Sequence, residues 1–183
     1  MRHLPNLICL VRIALVWPIV AALRGADYTV AVLLFTVAGL SDGLDGYLAK
    51  RFNWTSHLGK ILDPLADKLL IVVLFVTATW LGRVPHWLTA TVVARDVLIA
   101  LGAVVFRLGF GRLEGRPTLS SKLNTLMQLS YLLCVMTHAA FAVPGGRSLA
   151  VLAVATFGTT VLSGCDYVVT FTRRALAFPV GAP

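Results

Sequence analysis

The chain has 183 residues, of which 58% are hydrophobic and 13% charged, and its mean hydropathy is +0.85. A water-soluble domain carries about 25% charged residues, so composition alone excludes an ordinary soluble globule and points to lipid as the solvent. The formal charge of +8 comes without an Arg-rich tract or a basic stripe interleaved with aromatics, which argues against nucleic acid as a partner.

Runs of about 20 mainly apolar residues are long enough to cross a bilayer as helices. The first such run covers 8–23 and contains Pro18. The second covers 28–50 and closes at Lys50-Arg51, and the third covers 60–82, ended by Gly82 and Pro85. The fourth covers 86–107, the fifth 119–142 between Pro117 and Pro144, and the sixth 147–172, closed by Arg173-Arg174. The expected fold class is therefore all-α: a polytopic membrane protein with six transmembrane helices, forming one domain over 1–183.

The loops set the orientation. One set holds Arg2, then Lys50, Arg51 and Lys60, then Arg107, Arg112 and Arg116, then Arg173 and Arg174. The opposite set holds only Arg24, Arg83 and Arg147, so the first set is expected in the cytoplasm with both termini. No Arg- and Ser-rich transit segment precedes the first run, which makes a plasma membrane the simpler expectation. Trp17, Trp54, Trp80 and Trp87 fall near helix ends, as an interfacial aromatic belt requires. Cys9, Cys134 and Cys165 are odd in number and read as packing residues, and the four histidines show no paired metal spacing.

Ionisable residues inside spanning helices are expensive and face the bundle interior or water. The second helix nevertheless carries Asp42 and Asp45, and the third carries Asp63 and Asp67. Spacings of three and four residues put each pair on one helical face. A short turn joins the two helices, so all four carboxylates are expected to converge just inside the cytoplasmic surface. Four like charges in a low-dielectric site repel strongly, and a divalent cation, or two, is the economical counter-charge. All-oxygen ligation suits Mg²⁺ or Mn²⁺, and two such ions clamp a transferring phosphoryl group. Gly43 and Gly46, beside the carboxylates, fit close approach of a ligand, whereas Gly39 fits helix packing equally well. Lys50, Arg51 and Lys60 are positioned to hold phosphates.

The stretch from Asp42 to Asp67, DGLDGYLAKRFNWTSHLGKILDPLAD, closely resembles the CDP-alcohol phosphatidyltransferase signature D-x2-D-G-x2-A-R-x8-G-x3-D-x3-D. Asp42, Asp45, Gly46, Ala49, Gly59, Asp63 and Asp67 match in register, and Lys50 stands where the family usually has Arg. The resemblance implies six transmembrane helices in a homodimer and a pair of divalent metals held by Asp42, Asp45, Asp63 and Asp67. It implies that the nucleotide of CDP-diacylglycerol lies against Asp45, Gly46, Ala49, Lys50 and Gly59. It makes Asp67 the general base for the hydroxyl of a lipid or small alcohol acceptor, with CMP as the leaving group.

The segment PNLICLVR is similar to the family's N-terminal segment, in which Asn6 and Arg12 approach the headgroup site. ARDVLI at 94–99 and SKLNTLMQ at 121–128 are most similar to the branch that joins CDP-diacylglycerol to phosphatidylglycerol, giving cardiolipin and CMP. The neighbouring branch uses glycerol 3-phosphate to make phosphatidylglycerophosphate. Arg95 and Lys122 are candidates for the acceptor's phosphate, although an ion pair of Arg95 with Asp96 or another helix explains Arg95 as well. Asn124, standing where the other branch has Lys, favours a singly charged diester acceptor. Asp166 in the sixth helix has no evident partner in the sequence. A divalent cation transporter is the competing class. Transporters place their sites near the bilayer midplane between internal repeats, and the sequence has neither feature.

Overall fold

A computed structural model describes the backbone of residues 4–52, 59–110 and 118–177, and the side chains of residues 11–41, 66–105 and 118–172. Six helices follow in order: α1 (Leu4–Arg24), α2 (Tyr28–Phe52), α3 (Gly59–Trp80), α4 (His86–Phe110), α5 (Leu119–Phe141) and α6 (Gly146–Ala177). Among the described residues there is no strand. The shortest helix has 21 residues and so rises roughly 32 Å, enough for a bilayer core.

The ends of the helices follow local chemistry. Pro5 sits in the first turn of α1, where its missing N–H costs nothing. Pro18 lies inside α1 without ending it, as spanning helices tolerate. At the end of α3, Gly82 takes φ +67°, and the N–H groups of Gly82 and Arg83 return to the carbonyls of Thr79 and Ala78 at 2.9 Å. A side chain at position 82 would strain that left-handed turn. Thr118 caps α5 by accepting from the Ser121 N–H at 3.4 Å. The last helix runs five residues past the expected 172, because Arg173 and Arg174 are good helix formers once the chain leaves lipid.

α1 packs on α2 and α3, α2 on α5, α5 on α6, and α4 on α6 and α3. Ile19, Phe35, Ile71, Leu74, Phe75, Leu132 and Met136 fill the core among α1, α2, α3 and α5. The rings of Phe75 and Tyr131 stack at 6.1 Å.

The outward faces are equally apolar. Leu33, Leu101, Val105, Leu126, Val151 and Leu162 are all exposed. So large an apolar surface on a folded bundle is a lipid-facing one. Among the described residues, the segments His86–Val105 and Gly146–Thr172 are long and apolar enough to cross a bilayer by length and composition. The chain is an all-α polytopic membrane protein whose six helices span the membrane. Trp80 and Trp87 are exposed at the end of the bundle where α3 finishes and α4 begins, Trp17 is exposed about two turns before the end of α1, and Trp54 lies outside the described residues.

Polar contacts gather at the other end, where α3 and α5 begin and α4 and α6 approach their finish. Asp166 finds its partner there: its Oδ2 accepts from the Ser120 hydroxyl at 2.5 Å. Ser120 lies in the first turn of α5, so the carboxylate also faces the positive end of that helix. Asp166→Ala is expected to lower stability by about 1–2 kcal/mol, the loss of one charged hydrogen bond and a dipole contact. A thermal unfolding series in detergent measures it, and an unchanged midpoint would contradict the assignment.

Candidate active site

Asp67 sits one-third of the way along α3, and Arg12 at a comparable depth on α1. The packing of α1 on α3 brings them together, and an Arg12 Nη1 donates to Asp67 Oδ1 in a direct ion pair. The guanidinium is buried, its side chain only 6% exposed, whereas the Asp67 side chain is 38% exposed. The carboxylate is thus anchored from below and presents itself outward. A buried cation beneath it offsets part of the cost of holding a carboxylate at this depth.

The outward side is a cavity of about 260 Å³ among α1, α2, α3 and α5. Arg12 and Asp67 form its ionic end. Phe35, Leu70, Ile71, Leu129 and Leu133 make the walls, with Thr36, Thr125 and Ser130 as the polar exceptions. Leu40, 65% exposed, and Gly39 also line it and lie on the bundle's outer surface, so the cavity opens sideways toward lipid. Among the described residues no atom lies within 4 Å of where a Cβ at Gly39 would stand, so close packing against them does not account for this glycine. Among the described residues lining the cavity, Arg12 is the one Lys or Arg.

Asp42 stands on α2 one turn beyond Gly39, and Asp45 one turn beyond that. Asp63 stands on α3 one turn before Asp67. The side chains of Asp42, Asp45, Gly46, Ala49, Lys50, Gly59 and Asp63 lie outside the described residues, as does that of Asn6. The donor set is nonetheless four carboxylates on two helices that both pack on α1. Oxygen donors of that kind fit a hard divalent cation.

The other acceptor candidates occupy a second group, among α3, α4, α5 and α6. Arg95 is 5% exposed. Its Nη1 donates to Asp96 Oδ1 at 2.7 Å, and its Nη2 donates to the hydroxyls of Ser121 at 2.8 Å and Ser163 at 2.6 Å. Asp96 Oδ1 also accepts from the Lys68 ammonium at 2.5 Å. Asn124 is fully buried, its Oδ1 accepting from Thr160 at 2.8 Å and Thr159 at 3.2 Å. Lys122 is exposed on α5. Arg95 and Asn124 are therefore engaged within the bundle and are not among the residues that line the Arg12–Asp67 cavity.

Reading the sequence missed the pairing of Lys68 with Asp96 and the hydroxyl partners on α6. The latter left a trace: Thr156, Thr159, Thr160 and Ser163 recur at helical spacing, which marks one polar face in an apolar helix. Thr36 and Ser130, which face the cavity, left none.

Residues 2–163 match the sequence profile of the family CDP-alcohol phosphatidyltransferase. The chain is 32% identical over 182 residues to the cardiolipin synthase (CMP-forming) of Rattus norvegicus, which covers 90% of this chain and 60% of that protein. The same figures hold for the cardiolipin synthase (CMP-forming) of Homo sapiens. The chain thus spans about 60% of the length of these two relatives. It is 31% identical over 154 residues to the CDP-diacylglycerol–glycerol-3-phosphate 3-phosphatidyltransferase of Bacillus subtilis, covering 75% of this chain and 78% of that one.

Proposed function

The chain belongs to the CDP-alcohol phosphatidyltransferase family, and from that premise we propose that it transfers a phosphatidyl group from CDP-diacylglycerol to phosphatidylglycerol, forming cardiolipin and CMP. The observation that carries this reading is the Arg12–Asp67 pair at the ionic end of an apolar cavity open to lipid. Both substrates are lipids, and a reacting carboxylate at the end of a lipid-accessible cavity suits both. Among the described residues that line it, the one Lys or Arg is Arg12, already paired with Asp67, and such a lining suits a phosphodiester with one negative charge better than the more highly charged glycerol 3-phosphate. That is the feature favouring a cardiolipin product over phosphatidylglycerophosphate, the second reading, which the similarity to the Bacillus subtilis protein keeps in play.

In the proposed reaction the Asp67 carboxylate takes the proton from the acceptor's glycerol hydroxyl. The hydroxyl oxygen forms a bond to the phosphorus that bears diacylglycerol. The bond from that phosphorus to the bridging pyrophosphate oxygen breaks, and CMP departs with the electron pair. Arg12 fixes the carboxylate's position throughout, which matters because a misplacement of about 1 Å costs roughly 10²-fold in rate. Asp45, Gly46, Ala49, Lys50 and Gly59 would seat the nucleotide, and Asn6 with Arg12 the acceptor headgroup. Lys122, exposed near the start of α5, would meet the acceptor's phosphate on its way in.

Asp42, Asp45, Asp63 and Asp67 would hold one or two Mg²⁺ or Mn²⁺ ions, whose chemistry is to neutralise charge on the pyrophosphate. The proposed setting is a homodimer in a plasma membrane, and the loop charges support an orientation with the acidic end of the bundle facing the cytoplasm.

Metal removal tests the class of function. Purified protein with both lipids is expected to release CMP, to lose at least about 10³-fold of that rate in excess EDTA and to regain it with Mg²⁺. CMP release that survives chelation would remove the metal from the proposal. Metal flux across vesicles without CMP release would favour a transporter instead.

A further inference from the structure

Lys68 follows Asp67 on α3, so the two side chains leave the helix about 100° apart. The geometry directs the lysine away from the carboxylate beside it. Its ammonium reaches Asp96 Oδ1 at 2.5 Å, and the same oxygen accepts from Arg95 at 2.7 Å. Arg95 is immobilised by hydroxyls from both α5 and α6. One carboxylate therefore serves two cations, and the three formal charges sum to +1. Of these groups only Lys68 is a long, flexible arm with substantial exposure, at 36% of its side chain.

Removing the charge of Asp96 raises that sum to +2 and frees the lysine. A released ammonium is drawn to an accessible carboxylate, and Asp67 is adjacent in sequence and 38% exposed. There it would compete with Arg12 and with substrate. We propose that Asp96 is a positioning residue: it holds the Lys68 ammonium on the α4 side of α3, leaving Asp67 to Arg12 and the reaction. Arg95, Ser121 and Ser163 brace Asp96 against that pull. The ammonium itself is not needed for turnover; its confinement is. This inference rests on the role of Asp67 given above.

The test compares Asp96→Asn, Lys68→Met and the double variant in full-length protein purified in detergent. Each is first checked for monodispersity, then assayed for CMP release at varied CDP-diacylglycerol. Asp96→Asn is expected to lower kcat about tenfold or more while moving KM by less than about threefold. Lys68→Met alone is expected to stay within about threefold of the unsubstituted protein. Adding Lys68→Met to Asp96→Asn returns the charge sum to +1, and kcat is expected to recover to within about threefold. A purely structural Asp96 would give no such rescue.

Asp96→Asn within about twofold of the starting kcat overturns the proposal, and so does a double variant as slow as Asp96→Asn. If Asp96→Asn is not recovered folded, Lys68→Met decides: a loss of about a hundredfold means the ammonium is itself required and overturns the proposal. Asp67→Asn is run alongside. If it stays active, the reading of the site has failed; if it is inactive while Asp96→Asn is normal, the positioning role alone has failed.

Discussion

Asp67→Asn is expected to reduce CMP release by about 10³-fold or more while leaving the bundle folded. Asparagine has the same shape, and its carbonyl can still accept a hydrogen bond from Arg12, so the α1–α3 contact survives. What disappears is the charge and the capacity to take a proton. A general base contributes about 10²- to 10⁴-fold, and the same carboxylate is proposed to ligate metal, so the loss belongs at the upper end. The assay is CMP release by variant and unsubstituted protein at equal concentration, with matched thermal unfolding. A variant that keeps near-normal turnover would show that another group accepts the proton.

The second large effect is expected at Arg12. Arg12→Met keeps the volume and apolar stem but removes the guanidinium beneath Asp67. Breaking a fully buried pair costs about 3–5 kcal/mol, but Asp67 is partly exposed and water repays some of that, so about 1–3 kcal/mol is expected here. Turnover suffers more than stability. With its anchor gone, the carboxylate loses a fixed position, and a loss of about 10²-fold in kcat follows. Arg12→Lys is expected to fall between, because it keeps the charge without the planar fork. Steady-state kinetics with unfolding curves separates the two effects. Equal fractional losses in stability and rate would mean that Arg12 supports the fold and nothing more.

The helices were legible because bilayer thickness dictates run length. Five of the six begin within one residue of the expected start, and α1, α2, α3 and α5 end within two residues of the expected end. The ends of α4 and α6 run on because charge marks the membrane boundary, not the end of helix formation. The helix α1 starts four residues before the expected 8, because Pro5 fits a first helical turn and the helix begins ahead of its apolar run.

The acidic signature was legible for a different reason: fixed spacing between carboxylates on consecutive helices is a local property. The partners of those residues were not. Arg12 and Asp67 are 55 residues apart, and Lys68 and Asp96 are 28 apart. Which cation meets which carboxylate depends on how the helices rotate and slide against one another. Asp166 shows the same dependence. Its partner, Ser120, is 46 residues away, and no spacing rule connects them. For Arg95 the sequence left two roles open, and the three hydrogen-bond partners around its guanidinium describe a brace within the bundle.

Acceptor identity is the measurement that bears most directly on the whole account. Purified protein in mixed micelles with labelled CDP-diacylglycerol and Mg²⁺ would be offered phosphatidylglycerol or glycerol 3-phosphate, and the lipid products resolved. The account predicts labelled cardiolipin and an equal amount of CMP with phosphatidylglycerol, and little product with glycerol 3-phosphate. Product formed with glycerol 3-phosphate alone would contradict it.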